Sequence, residues 1–339
     1  MKPRLDIHFT LQQQKAYLFG KPYVPKENEF LLNHSRSAIL LALRAANLPD
    51  GAGIGVMVYN CHTVMNAVKQ AGFEPVFIDV DDDLRIDTGD LKRKSGQLSA
   101  LILTHLFGIV NDVCAIKKEF PQLVIIEDCA HAYGIDHLFG DFATFSVGQG
   151  KLPSIGDGGV LTVLNGNYLE RTTSLYDDLK VYSVFQSISL FFKLFLISLL
   201  YRSWLYGWAT LPLKQRRTST DGKEDFSPKK MCNGISAVFD IEKNKLARQV
   251  DERQRNANEI LRQLNSADVQ KSYLGCNAFM LVVYCDNPER LREKLYREGV
   301  DSATHFSNSI YWASGFGYRH GECPNAEKLI TRLLMIPIY

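Results

Sequence analysis

The stretch LVIIED, residues 123–128, is a short apolar run that ends in two carboxylates. Runs of the same character occur at residues 53–60, 74–81, 98–105, 142–147 and 158–164. They are rich in Val, Ile, Leu and Phe without polar alternation, which is typical of strands buried on both faces. Two amphipathic segments between them, which end at Gly72 and before Pro121, predict helices. Strands and helices in alternation predict an α/β fold with a mostly parallel sheet.

Polar side chains stand where these predicted strands end. In an open α/β sheet, ligands bind in the crevice beyond the carboxyl ends of the strands. A hydroxyl or titratable group at nearly every strand end exceeds what a sheet requires, so we expect the functional site at this edge. The residues at these ends are Asn60, Cys61, His62, His105, Asp128 and Ser146.

The chain of 339 residues is long enough for two domains. Residues 233–265 have the pattern of one long amphipathic helix linking them, and residues 279–306 predict a strand, a helix and a strand. We expect a large domain over residues 1–248, with an apolar helical insertion at about residues 183–213, and a smaller C-terminal α/β domain over residues 249–339.

Composition excludes several classes of partner. The formal net charge is +2 with interspersed charges, so nucleic acid is not expected as a partner. Seven cysteines form no Cys-x-x-Cys and no spacing suited to zinc, which favours reduced thiols and no metal. The first fifteen residues hold no apolar stretch suited to a signal peptide, so a cytoplasmic protein is expected.

The glycine-rich stretch FSVGQGKLPSIGDGGVL, residues 145–161, contains the lone lysine Lys151. A P-loop would need glycine at Phe145 and Ser or Thr at Leu152, and a dinucleotide fingerprint would need glycine at Pro153. Both motifs are therefore excluded. What remains is a lysine among glycines that allow a ligand to approach the backbone closely.

The lysine and a preceding aspartate suggest pyridoxal 5′-phosphate chemistry. A lysine amine condenses with the cofactor's aldehyde, and a carboxylate such as Asp128 keeps the pyridine nitrogen protonated. Lys151 lies some twenty residues beyond Asp128. The cofactor's phosphate needs hydroxyl and N–H groups, which a helix N-terminus supplies. Ser35, Arg36 and Ser37 precede a strongly helical run and offer such a terminus.

The segments IIEDCAHAYG and FSVGQGKLPSIGDGG resemble motifs of the DegT/DnrJ/EryC1/StrS family, most of whose members are sugar aminotransferases. The resemblance implies the type I fold of pyridoxal phosphate enzymes. It also implies that Lys151 forms the Schiff base, that Asp128 meets the pyridine nitrogen and that Ser146 binds phosphate. His131 matches a position near the cofactor's phenolic oxygen. Relatives usually continue into a further helix, so the small domain is expected to be abbreviated.

Four more residues are assigned by weaker resemblance. Ser37 replaces a threonine hydroxyl on the phosphate, and Arg36 either adds a charge there or points to solvent. His62, in preference to Cys61, takes the place of a stacking aromatic ring. Asn233 is the nearest counterpart of an asparagine that reaches the partner subunit's phosphate.

The resemblance implies a homodimer with shared active sites. The expected reaction moves an amino group from an amino acid, with glutamate the expected donor, to a nucleotide-linked keto sugar for surface polysaccharide or glycoconjugate biosynthesis. Two alternatives stay open. One is an altered or inactive family member that binds or regulates at a membrane, and the other is a pyridoxal phosphate enzyme acting on a non-sugar or lipid-linked substrate.

Residues 183–213 are far more apolar than the rest of the chain. A transmembrane helix is not favoured, because Lys193 interrupts the run and a span would divide one domain across a bilayer. Three interpretations remain open: a buried helical pair packed against the sheet or the dimer partner, a lining for a hydrophobic substrate, or peripheral contact with the inner face of the membrane. In the last, Trp204, Tyr206 and Trp208 sit at headgroup depth, and Lys214, Arg216 and Arg217 face anionic lipid.

Overall fold

The computed structural model describes residues 1–3, 5–206, 223–264 and 269–339. The strands are β1 Glu29–Leu32, β2 Gly53–Met57, β3 Glu74–Ile78, β4 Leu98–Thr104, β5 Val124–Asp128, β6 Phe142–Ser146, β7 Gly159–Val163, β8 Lys271–Leu274, β9 Leu281–Tyr284 and β10 Leu333–Ile336. The helices are α1 Leu11–Phe19, α2 Ser35–Ala45, α3 His62–Gln70, α4 Thr88–Lys94, α5 Val113–Glu119, α6 Leu169–Asp177, α7 Val184–Leu200, α8 Asn233–Lys243, α9 Leu246–Gln263, α10 Pro288–Arg297, α11 Ser309–Ser314 and α12 Pro324–Leu329.

Seven strands of the described chain form the large sheet in the order β1-β7-β6-β5-β4-β2-β3. The pairs from β6 to β3 are parallel, whereas β7 runs antiparallel to both of its neighbours. All six strands predicted in residues 53–164 are present, and α3 and α5 coincide with the two predicted helices. The predicted α/β class with a mostly parallel sheet is therefore confirmed.

Apolar side chains cover both faces of the large sheet. All five residues of β5 and of β6 are buried, as expected for strands with helices on either side. Leu101, Leu103 and Ile125 belong to one apolar cluster, whereas Ile102 and Ile126 belong to another. Alternate residues of a strand thus enter different cores, which leaves only the strand ends free to build a site.

The C-terminal unit differs from the sequence prediction in two ways. The predicted long helix is two helices, because the chain turns at Asn244 and Lys245, where the Lys245 N–H donates to the Glu242 carbonyl. The strand predicted near residue 303 is a single bridge from Ala303 to Met335. The sheet is instead antiparallel, in the order β10-β9-β8. The boundary predicted at residue 248 stays a prediction, since α9 crosses it.

The N-terminal residues contact segments from both parts of the chain. Lys2 bridges to Val300, and the Asp6 carboxylate accepts a hydrogen bond from Arg253 at 3.0 Å. Beyond them α1 packs along α8, where Tyr17 lies against Gly234. The first twenty residues therefore contact both halves of the chain.

Helix α7 occupies much of the apolar segment. Ser183 caps it in a reciprocal capping box with Gln186. Of its 17 residues, all described, Leu194 alone is buried. Within a single chain α7 is therefore not a buried helix, and its burial against a partner subunit stays a prediction. The headgroup position predicted for Tyr206 is wrong, because this residue is 1% exposed and its hydroxyl donates to Asp301 at 2.7 Å. The predicted contacts of Trp208, Lys214, Arg216 and Arg217 lie outside the described residues.

In the part of the chain that the structure describes, no helix combines the length and the apolar character that crossing a bilayer requires.

Candidate active site

Asp128 ends β5 and is only 3% exposed. Its Oδ1 accepts a hydrogen bond from the Ala130 N–H and its Oδ2 accepts one from the Thr104 hydroxyl, both at 3.1 Å. The Asn60 side-chain amide donates in turn to the Thr104 hydroxyl at 2.8 Å. Burial raises the pKa of Asp128, and the Ala130 N–H and the positive charge of Lys151 oppose that rise. A chain of donors therefore fixes the orientation of a carboxylate at the predicted edge of the sheet.

Lys151 lies in the loop between β6 and β7. Its N–H donates to the Gly148 carbonyl at 3.2 Å, which closes a tight turn. Gly150 has φ +70°, and a Cβ there would lie 2.8 Å from Leu5, so the turn requires glycine. Burial lowers the pKa of the Lys151 amine, while the negative charge of Asp128 opposes that shift. The two predicted catalytic residues thus interact electrostatically.

His131 is a neutral imidazole held between aromatic rings. Its ring stacks on Phe279 with centroids 4.4 Å apart, and its Nδ1 accepts the Phe107 N–H at 3.2 Å. Burial and the charge of Lys151 hold the pKa of His131 well below its usual range. The Lys151 Nζ lies 5.6 Å from the Phe279 ring centre. Phe279 therefore brings the C-terminal unit to the lysine.

The N-terminus of α2 places its three polar residues differently. The Ser35 hydroxyl is buried and has no hydrogen-bond partner within the described chain. Ser37 is fully buried and donates to Asn33 Oδ1 at 2.8 Å, so its hydroxyl is already engaged. Arg36 pairs with Glu224 at 3.1 Å. Ser35 therefore has the hydroxyl that is free for a ligand in the described chain, and the phosphate role of Ser37 stays a prediction.

Strand β7 approaches this helix end closely because residue 159 is glycine. A Cβ there would lie 2.4 Å from the Ser35 nitrogen. His34, the residue before α2, gives the helix no side-chain cap, and Ser146 lies opposite Gly159 in the β6–β7 pairing. Helix N–H groups and an unsatisfied hydroxyl suit a phosphate, and Lys151 with Asp128 suits a pyridine aldehyde. The residues present therefore fit pyridoxal 5′-phosphate.

Cys61 interacts with the lysine more directly than His62 does. The Cys61 thiol contributes to the electrostatic environment of Lys151, whereas the His62 ring packs edge-on against Trp312 at 4.8 Å. Burial alone would raise the pKa of Cys61, but the hydrogen bond and charge of His62 lower it on balance. The stacking role assigned to His62 stays a prediction.

Asn233 begins α8 and is exposed. It lines a cavity of about 410 Å³ together with Tyr23, Tyr182 and Lys230. Lys151 is not among the residues that line this cavity. A contact from Asn233 to a partner subunit's phosphate stays a prediction.

A second polar group lies on the opposite side of β5. Ligand atoms of His105, Glu127 and Cys129 approach within 4.8 Å of one another. The His105 Nε2 lies 3.1 Å from Glu127 Oε2, while Glu127 Oε1 accepts the N–H groups of Phe139 and Gly140. Burial raises the pKa of the Cys129 thiol well above its usual range. The geometry is that of a satisfied buried hydrogen-bond network.

Comparison with known proteins agrees with this geometry. The sequence profile of the DegT/DnrJ/EryC1/StrS aminotransferase family matches residues 22–181 and 226–339. The chain belongs to this family. Membership confirms the predicted cofactor class, pyridoxal 5′-phosphate, and favours an aminotransferase over a non-catalytic protein.

Individual relatives are more distant. GDP-perosamine synthase from Escherichia coli O157:H7 is 29% identical over 144 residues, which cover 40% of this chain and 40% of that protein. The aminotransferase TlmJ from Streptoalloteichus hindustanus superposes with a TM-score of 0.76 at 17% identity, covering 100% of this chain and 93% of that one. The sugar aminotransferase CalS13 from Micromonospora echinospora gives a TM-score of 0.70 at 15% identity, covering 100% and 95%. These similarities confirm the predicted fold.

Sequence reasoning missed three residues at the site. Thr104 is hidden inside an apolar run, and Asn60 stood only among the strand ends, although together they orient Asp128. Phe279 lies 128 positions beyond Lys151, and no local pattern connects them. The signal in the sequence was the hydroxyl of Thr104, which stands at the end of a buried strand.

Proposed function

We propose that this protein is a pyridoxal 5′-phosphate-dependent aminotransferase. The observation that carries the proposal is a half-buried lysine, whose pKa desolvation lowers, in electrostatic interaction with a buried, hydrogen-bonded aspartate at the carboxyl edge of the sheet. Perturbed ionisable groups that are brought together at such an edge mark functional sites.

The chain's own residues have distinct tasks in this proposal. When bound, the cofactor supplies an aldehyde that condenses with amines and a ring that accepts electrons. Lys151 would hold the aldehyde through its amine, whose pKa burial lowers, and its Nζ would later carry a proton. Asp128 holds the proton on the ring nitrogen, and Thr104 orients that carboxylate. His131 stays neutral and donates from Nε2, while Ser35, Ser146 and the α2 N-terminus bind phosphate.

The proposed substrates are an amino acid donor, glutamate foremost, and a nucleotide-linked keto sugar for surface polysaccharide or glycoconjugate synthesis. The relatives support this class, since GDP-perosamine synthase is named for an amino sugar linked to a nucleotide. We also propose a homodimer with shared sites, which the exposed position of Asn233 at the start of α8 supports. The protein is proposed to be cytoplasmic, with a peripheral membrane contact supported by the exposed apolar residues of α7.

The first experiment follows the cofactor spectrum. Purified protein loaded with pyridoxal 5′-phosphate is mixed with glutamate, and absorbance is followed for conversion to the pyridoxamine form. GDP-, UDP- and dTDP-linked keto sugars are then added, and one of them should restore the original band. A spectrum that no amino acid changes would refute the proposed aminotransferase.

A further inference from the structure

Helix α7 exposes a continuous apolar surface. We define its outer face as Val184, Phe185, Ile188, Phe192, Phe195 and Leu196, which are between 44% and 84% exposed. Their spacing of three and four residues places them along one side of the helix. Trp204, just beyond the helix, is 68% exposed. Contiguous apolar patches of this kind mark interaction sites on proteins.

The opposite side of α7 is held by the protein along its length. Phe191 packs against Phe9 with ring centres 5.4 Å apart, and the Phe9 N–H donates to the Ser198 hydroxyl at 2.7 Å. Leu194 covers Gly156 of the lysine loop, where a Cβ would lie 2.4 Å away. Because one side of α7 is fixed to the protein, its outer face points away from the protein. The helix axis would therefore lie parallel to any surface that this face contacts.

Charge identifies the kind of partner. Residues 179–206 contain Lys180, Lys193 and Arg202 and no acidic residue, although the whole chain holds 37 Asp and Glu in 339 residues. All three basic residues are exposed. The neighbouring residues 7–26, which include α1, hold three lysines and again no Asp or Glu. Within these two segments the charged side chains beside the apolar surface are all basic, whereas the exposed Asp177 and Asp178 come just before them.

A second copy of the chain matches this surface poorly. In a two-fold symmetric contact the same patch meets itself, so Lys193 and its neighbours would face like charges. An anionic lipid surface instead offers a hydrocarbon boundary to the phenylalanines and negative headgroups to the lysines. Tryptophan at the end of the helix is also favoured at headgroup depth.

We infer that the outer face of α7 docks the protein, in plane, on an anionic lipid bilayer. The inference gives residues to the proposed membrane contact and does not depend on the proposed chemistry. It differs from the sequence expectation because the contact is made by one side of a helix whose other side packs on the lysine loop.

Vesicle flotation tests the inference on the full-length protein. The probes are phosphatidylcholine vesicles with and without about one third phosphatidylglycerol. We expect binding to the anionic vesicles, weaker binding to the neutral ones, and loss near 1 M salt because charges are then screened within about 3 Å. Phe192→Glu should lower the partition coefficient roughly tenfold or more, since it removes an aromatic ring that the bilayer would bury.

Phe139→Glu is the matched control, because Phe139 is 47% exposed and lies outside the α7 face. It should bind vesicles as the unaltered protein does, and both variants should retain the cofactor absorbance. Equal binding to neutral and anionic vesicles, or no binding, would overturn the inference. So would a Phe192→Glu variant that floats normally but has lost a subunit contact by light scattering, since a second copy would then cover the face.

Discussion

Thr104→Val tests whether the donor chain to Asp128 stabilises the carboxylate. Valine has nearly the shape of threonine, so the change removes the hydroxyl and leaves little cavity. The lost bond joins a hydroxyl to a carboxylate at 3.1 Å, longer than the 2.5–2.7 Å typical of strong charged pairs. We therefore take the low end of the range for such bonds, about 1.5 kcal/mol.

A second loss adds to the first. The Asn60 amide, 2% exposed, loses its acceptor when the hydroxyl is removed. A buried donor without a partner costs about 1 kcal/mol, so the total at neutral pH is about 2.5 kcal/mol. The loss of about 1.5 kcal/mol from the hydroxyl–carboxylate bond applies only while the carboxylate is charged. It corresponds to a rise of roughly one unit in the pKa of Asp128.

The sign with pH follows from linkage. Burial already raises the pKa of Asp128, and the valine raises it further, so ionisation of this group destabilises the variant more than the native protein. As pH falls through the raised pKa, the carboxyl group is protonated and that part of the difference disappears. The loss should therefore shrink from about 2.5 to about 1 kcal/mol.

The assay is urea unfolding of the cofactor-free protein at several pH values, from about 8 down to the lowest pH at which the native protein stays folded, compared by midpoint and slope. Thr104→Ser is the control, since it keeps the hydroxyl and should show a smaller loss that does not vary with pH. A Thr104→Val protein as stable as the native one, or a loss that stays constant across this range, would refute the reasoning.

Three further predictions follow from single contacts. Ser35→Ala should weaken cofactor binding about 5- to 10-fold by equilibrium dialysis. Ser37→Ala should instead lower the free energy of unfolding by about 1 kcal/mol. The reverse pattern would favour Ser37 as the phosphate ligand, as the sequence predicts. As pH falls below 6.5, the free energy of unfolding in urea should fall less for His131→Gln than for the native protein. The reason is that the lowered pKa of His131 makes its protonation oppose folding, by up to about 1.4 kcal/mol per pH unit. An equal dependence of the two free energies on pH would contradict this. Gly156→Ala, at φ +105°, should cost roughly 2–4 kcal/mol in thermal unfolding. Gly166→Ala, where a Cβ would have nothing within 4 Å, should cost almost nothing. A tolerated Gly156→Ala would mean that Leu194 of α7 does not pack there.

The strands and their ends were predictable because apolar runs without alternation have one ready explanation, burial on both faces. Asp128 followed from the same pattern, since ends of parallel strands share an edge, whereas Lys151 followed from the glycine-rich stretch after β6. The edge strand β1 and helix α1 were not predicted. The break at Asn244 was also missed, because periodicity continues across a turn of one or two residues.

Side-chain direction was beyond the sequence. Ser35 and Ser37 are the same residue type, two positions apart. The Ser37 hydroxyl donates to Asn33, whereas the Ser35 hydroxyl has no partner within the described chain. Composition likewise marked residues 183–213 as apolar without separating the face that packs on Gly156 from the face that is exposed. Both distinctions depend on tertiary packing, which no local pattern records.

The central claim is that the Lys151 amine carries the cofactor. The direct measurement is to load the protein with pyridoxal 5′-phosphate, reduce it with borohydride and map the modified lysine by peptide mass spectrometry. The account predicts a pyridoxyl group on Lys151 and none at that site in Lys151→Ala. A label on another lysine, or equal labelling of the variant, would contradict it.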